Sequence, residues 1–336
     1  GLFTLLSLVC AGLIWAAPAP ANAADKIVIR FAHSNTPSDM DPYHALVTKM
    51  NDKLVKKLGA DRIEIQEFPA GQIGSEERSF QDVQQGVIQI ASLASNNAAV
   101  FAPSLYVIDL PYLFRTNQEG WAILDKYWDE LNAKTIKESG NRIIGWLDLG
   151  YRHVCNSKRP IRTIEDLKGL KIRVPNNPIM IGVYRAWGTD PVPMAMDETF
   201  NALQQKVVDG QENPYPVFAS NKFEEVQKYI TEIHYKVWIG PIVVNAAWFK
   251  KQPADVQKAI LEGGRLATKH NREMIMAMEA RLKPAMKKAG VEILDKPEDE
   301  NVWEEKAMAL WPDLYPKIGN LDLLDKMMAD MHRKRP

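Results

Sequence analysis

Charge of one sign is what this chain of 336 residues most plainly lacks, since 42 Lys and Arg are matched by 42 Asp and Glu. A balanced chain builds neither the basic stripe that coats nucleic acid nor a polybasic patch for an anionic membrane. Cysteine is nearly absent. Cys10 and Cys155 stand at a spacing that fits no metal motif, which excludes a disulfide-stapled scaffold, a cysteine-built zinc site and an iron–sulfur cluster. There is no G-x-S-x-G elbow, no G-x-x-x-x-G-K-[ST] loop, no G-x-G-x-x-G and no H-E-x-x-H. The histidines, at 33, 44, 153, 234, 270 and 332, include no i,i+4 pair for a helical metal site. An enzyme is therefore unsupported, although carboxylates are abundant enough that a general acid–base pair stays open.

Beyond the N-terminus no apolar run is long enough to span a bilayer. At the N-terminus, Leu2 to Ala17 is apolar and uncharged, Pro18 and Pro20 follow, and Ala21-Asn22-Ala23 precedes the first charges at Asp25 and Lys26. This reads as the hydrophobic region and small-residue cleavage site of a signal peptide over 1–23. The basic start of such a leader is missing and the sequence opens at Gly1, so a few residues are expected to precede it. The mature protein is expected to begin near Ala24, exported, with Cys155 as a lone thiol in a fold that needs no disulfide.

What is present is an alternation of strand-like and helix-like segments. Period-two spacing predicts strands at Lys26–His33, Arg62–Phe68, Val87–Leu93, Arg142–Leu147, Leu170–Val174 and the apolar run Trp238–Trp248. Helical spacing predicts Pro42–Leu58, Glu76–Gln85, Gln118–Ser139, Pro178–Trp187 and Glu198–Gln205, and Thr163 to Asp166 has capping-box spacing. The pattern is α/β, and the length favours two domains. No linker or repeat separates them. The longest helical candidate, Pro253–Lys283, would run roughly 46 Å and so would touch both halves. Gly263-Gly264 and Pro284 are the places where it is expected to bend or end, with two helices split at the glycines as the alternative.

Three polar residues stand at the ends of predicted strands, where α/β sheets collect ligands. Arg173 precedes the proline that stops Leu170–Val174, Arg152 follows the strand ending near Leu147, and Asn213 lies in the turn-rich stretch Asp209 to Pro214. Each could equally be an exposed arginine or a turn asparagine.

Motifs around these residues occur in one order: IRFAHS near Phe31, FPAGQIGSEE from Phe68, LPYLF from Leu110, GYR at 150–152, RTIEDLKGLKIRVP from Arg162, GTDPVPM from Gly188, VVDGQENP from Val207 and NKFEEVQKY from Asn221. With them the chain, from Ile27 to past Ala289, resembles the DctP-type solute-binding subunits of tripartite ATP-independent periplasmic (TRAP) transporters. The resemblance implies a two-lobe periplasmic binding-protein fold with a cleft between lobes and a long helix spanning both. Lobe I would comprise 24–149 and 239–278, and lobe II 150–238 and 279–336. It assigns Arg173 a two-pronged salt bridge to the solute carboxylate, which a planar guanidinium fits and lysine does not. Arg152 and Asn213 become its supporting contacts.

Family position also places Ser34, Ser95, Met196 and Trp238 near the solute. Trp238, Tyr215 and Met196 could wall a larger or aromatic acid, or belong to the core. Sialic-acid binders would carry glutamate at the position of Ala94 and phenylalanine at that of Met196, so that substrate is not expected. Nor is a metal or any cofactor, because members that hold solute through an ion differ where this chain has Gln211 to Pro214. The resemblance implies a clamp that closes on a small organic acid and delivers it to a membrane permease, working as a monomer. A sensor module for the same ligands, or a secreted α/β enzyme on organic acids, are the alternatives.

Overall fold

Two sheets, each wrapped by helices, carry the α/β alternation in the computed structural model, which describes residues 26–38 and 41–336. The leader and Cys10 lie outside the described residues. The first sheet has the order β2-β1-β3-β10-β4, built from β1 (Ile27–Ala32), β2 (Ile63–Phe68), β3 (Ile90–Ser92), β4 (Asn141–Tyr151) and β10 (Val237–Asn245). Its β1, β2 and β3 are parallel, and β10 runs antiparallel to β3 and β4. Every residue of β10 is buried, which is why it reads as an unbroken apolar run. The second sheet has the order β11-β9-β5-β8-β6-β7. Its strands are β5 (His153–Asn156), β6 (Lys171–Val174), β7 (Asp190–Pro193), β8 (Gly210–Asn213), β9 (Tyr229–Thr231) and β11 (Glu292–Leu294).

The chain passes between sheets at Arg152, the residue separating β4 from β5, and again between β9 and β10. These two crossings touch: the Arg152 N–H donates to the Lys236 carbonyl at 3.0 Å. The third connection is the long helix Ala254–Lys288, 35 residues, or about 52 Å at 1.5 Å per residue. It neither bends into two helices at Gly263-Gly264 nor stops at Pro284. A Cβ on Gly264 would lie 2.1 Å from the Ile144 carbonyl, and one on Gly263 would lie 2.8 Å from Leu54, so the glycines let the helix press onto β4 and the helix Pro42–Leu58. They are packing residues.

Elsewhere the predicted Gln118–Ser139 helix is two, Asn117–Lys126 and Trp128–Ser139, parted at Tyr127. Five short strands had no clear alternating pattern. The stretch read as a turn, Asp209 to Pro214, contains β8, a buried strand of polar residues between β5 and β6. Gly210 is fixed there by contact, since a Cβ would fall 2.2 Å from the Cys155 carbonyl. The C-terminal helices reach both halves. Trp303 packs on Trp187, while Asp330 and Arg333 bond to Lys126 and Glu119.

Candidate functional site

Between the sheets lies a narrow cavity lined by buried residues, enclosing about 290 Å³ with its mouth included. Of the eight positions singled out from the sequence, Arg173, Arg152, Asn213, Ser34, Met196 and Trp238 line it, as do Ala94 and Val217. Ser95 and Tyr215 do not. The Ser95 hydroxyl donates to Asp109 at 2.5 Å, and Asp109 pairs with Lys236 at 2.6 Å, so Ser95 belongs to a buried ionic cluster. Tyr215 points to the long helix, donating to Glu232 at 2.6 Å and packing on His153.

β6 sets Arg173 between Val192 of β7 and Gln211 of β8, leaving it 2% exposed. Its Nε and Nη2 donate to the Met194 carbonyl at 2.9 and 2.6 Å. Among the described residues no carboxylate lies within ion-pair distance of it. Burial pulls its pKa down to about 10, against the pull of Glu212, and the nearby Arg152 cation lowers it further. An arginine whose charge is this poorly compensated is built to meet an anion.

Arg152 is equally buried but already committed. Its guanidinium clasps Glu212 with two bonds, Nε to Oε2 and Nη2 to Oε1, the latter at 2.5 Å, and it reaches the Asn213 Oδ1 at 3.1 Å. Burial works against the cation, and Glu212 more than offsets it, holding the pKa above the ordinary arginine value. Tyr235 adds a bond to Glu212 at 2.7 Å. Asn213 is thereby oriented, with its Nδ2 donating to Gln211 at 2.7 Å. Arg152 thus holds the Asn213 side chain in place.

The facing wall comes from the first sheet's loops and was largely missed from sequence. Glu76, 7% exposed, accepts from the Ser34 hydroxyl at 2.6 Å, Asn97 Nδ2 at 2.6 Å and the Ala94 N–H at 3.1 Å. No cation pairs with it among the described residues. Asn35, Asn96 and Tyr43 complete this wall, and Trp238 meets Tyr43 edge-on at 6.0 Å. Glu76 stands in the first turn of the helix Glu76–Gln84, behind the Ser75 cap, where a glutamate reads as an ordinary partner for the helix dipole. The usable signal for this wall was the place of Asn96 and Asn97, a few residues past the end of β3. The lobes touch around the cavity: Asn177 caps its own helix and donates across to the Asn96 carbonyl at 2.8 Å.

A buried, cation-bearing cavity between two lobes joined by three chain passages defines a solute-binding protein of the clamp class. The chain belongs to the bacterial extracellular solute-binding protein family 7, DctP, whose model matches residues 31–317. It is 31% identical over 267 residues to the 2,3-diketo-L-gulonate-binding periplasmic protein YiaO of Escherichia coli K12, covering 79% of this chain and 80% of that one. A TRAP periplasmic solute-binding protein from Rhodobacter sphaeroides, solved apo and open, is 37% identical with a TM-score of 0.74, over 89% of this chain and 97% of that one. One from Polaromonas sp. JS666 bound to D-erythronate is 27% identical, yet has a TM-score of 0.84, over 90% and 98%. The protein is thus the solute-binding component of TRAP transport, a class that works with membrane permease subunits and binds small organic acids, and it is not an enzyme. Family members are periplasmic, and no helix among the described residues is long and apolar enough to cross a membrane.

Proposed function

We propose that the cavity takes a compact polyhydroxy acid, its carboxylate on Arg173 and Asn213 and its hydroxyls toward Glu76, Ser34 and the asparagines Asn96 and Asn97. The observation that carries this reading is the pair of buried, unpaired opposite charges on facing walls. An acid satisfies Arg173, and hydroxyl donors suit a carboxylate that can only accept. The polar wall disfavours the aromatic acid that Trp238, Met196 and Tyr215 suggested, since Tyr215 is turned away and Glu76, Ser34, Asn96 and Asn97 line the cavity beside Trp238 and Met196. Structural relatives point the same way: D-erythronate, galactonate and β-D-glucuronate occupy similar proteins from Polaromonas, Advenella mimigardefordensis and Roseobacter denitrificans.

In this reading the empty clamp opens at the paired crossings Arg152 and Lys236 and along the long helix, and the acid shifts the population toward the closed form by bridging both walls. Both walls come from one chain, so the clamp needs no second copy, and we take it to work as a monomer. Export through the 1–23 leader places it in the periplasm. Denaturing purified protein and identifying released ligand by mass spectrometry, then screening galactonate, glucuronate and erythronate by thermal shift, tests the assignment. A sugar acid should raise the melting temperature by mass action. If aromatic or unsubstituted aliphatic acids stabilise it and sugar acids do not, the reading is wrong.

A further inference from the structure

A second cavity, about 210 Å³, lies where the first chain crossing, the start of the helix Tyr215–Ser220 and the long helix meet, and it shares no lining residue with the solute cavity. His153, Glu232 and Glu279 converge beside it. Each brings a donor atom within 4.8 Å of the other two. His153 is 1% exposed, and its Nδ1 lies 3.2 Å from the Ile233 carbonyl. A carbonyl only accepts, so Nδ1 carries the proton and Nε2 keeps a lone pair, which no described residue engages. Glu232 accepts from Tyr215 and from Lys283, at 2.6 and 2.8 Å, both through Oε1, leaving Oε2 free. Glu279 has no hydrogen bond or ion pair among the described residues. Two carboxylates and a neutral imidazole thus face one another with a single ammonium, and Lys283 shares that with Asp295 at 3.0 Å.

We propose that His153, Glu232 and Glu279 form a site for a zinc-type divalent cation. One imidazole with two carboxylates, and remaining positions for water, is a ligand set for zinc rather than for calcium or magnesium, which prefer oxygen throughout. Bonds of about 2.0–2.2 Å require ligand atoms closer together than they stand, and Glu279, exposed on the helix surface, is the side chain free to lean in. The Ile233 carbonyl behind His153 and the Tyr215 hydroxyl behind Glu232 supply the outer bonds that orient such ligands. The cation would tie the long helix to both chain crossings, a fastening at the hinge separate from the solute.

Tag-free protein, stripped with chelator and titrated with zinc chloride alone, tests the site by calorimetry, metal analysis and melting temperature. One zinc per chain and a raised melting temperature are expected. Glu279→Gln should weaken zinc binding at least tenfold while leaving the metal-free melting temperature and sugar-acid affinity unchanged. Lys283→Gln, which removes the rival cation, should tighten zinc binding several-fold. Unaltered zinc binding in Glu279→Gln, weaker binding in Lys283→Gln, or no zinc bound by the wild type would each overturn the proposal. Because sugar-acid affinity is read separately, failure here is distinguishable from failure of the solute assignment.

Discussion

Arg152 and Arg173 flank the same buried strand, β8, and both are sealed from water, yet one arrives with its counter-ion and the other without. Glu212 answers Arg152 through two bonds, and the pair, roofed by Tyr235, fixes the crossing between the sheets. Arg173 has only a backbone carbonyl, and it faces a cavity. A buried charge that is paired inside the protein is structure, whereas one left unpaired beside a cavity is a site waiting for a ligand charge. Asp148 extends the contrast. It is unpaired as well, held by the Gly150 N–H at 2.7 Å and by Trp121 and Asn117, but it faces no solute, and burial raises its pKa to about 6.

The largest expected effect is on folding, from breaking the satisfied pair. Arg152→Ala strands the Glu212 charge and should cost about 3–5 kcal/mol of stability, read from urea midpoints without ligand. Arg173→Ala should do the reverse of this: stability unchanged or higher, and affinity for a sugar acid lower by about 2–5 kcal/mol, measured by calorimetry. If both variants lose stability equally, the contrast fails.

At Asp148 the raised folded-state pKa means that the native state holds its proton longer than the unfolded chain does. Stability contributed there falls as pH rises from about 4 to about 6 and then stays level, a total of about 3 kcal/mol. Asp148→Asn removes this slope, so comparing the two pH–stability profiles isolates it; parallel profiles would refute the assignment. Glu76→Gln should weaken polyhydroxy-acid binding by about 1–2 kcal/mol, and weaken binding of deoxy analogues less. The smallest effects are expected at Ser95→Ala and Tyr215→Phe, which touch no part of the cavity and should leave solute affinity within about twofold.

The strands with clean alternation, β1, β2 and β6, and the helices with strong periodicity could be read directly from the chain. What escaped had its explanation in contacts between distant segments. β8 is polar because its side chains find buried partners from distant parts of the chain, Gln227 for Gln211, and Arg152 and Tyr235 for Glu212, which no local pattern reveals. Gly263 and Gly264 look like a break and are a contact surface. Arg173 was legible through its position before a strand-ending proline and through the K-I-R-V-P resemblance, and its lack of a counter-ion only through the fold. Glu76 was invisible as a wall of the cavity because its local setting, behind a serine cap, already accounts for a glutamate. Ser95 was drawn toward the site by family position and Tyr215 as part of a possible apolar wall, and their hydroxyls are spent on Asp109 and Glu232 instead.

The most direct measurement is calorimetric titration of wild type and Arg173→Ala with galactonate and with galactitol, its neutral reduced counterpart. The account predicts tight binding of the acid by the wild type, no measurable binding of the alcohol, and at least a thirtyfold loss for the acid in the variant. Acid affinity undiminished in Arg173→Ala, or equal binding of acid and alcohol, would contradict it.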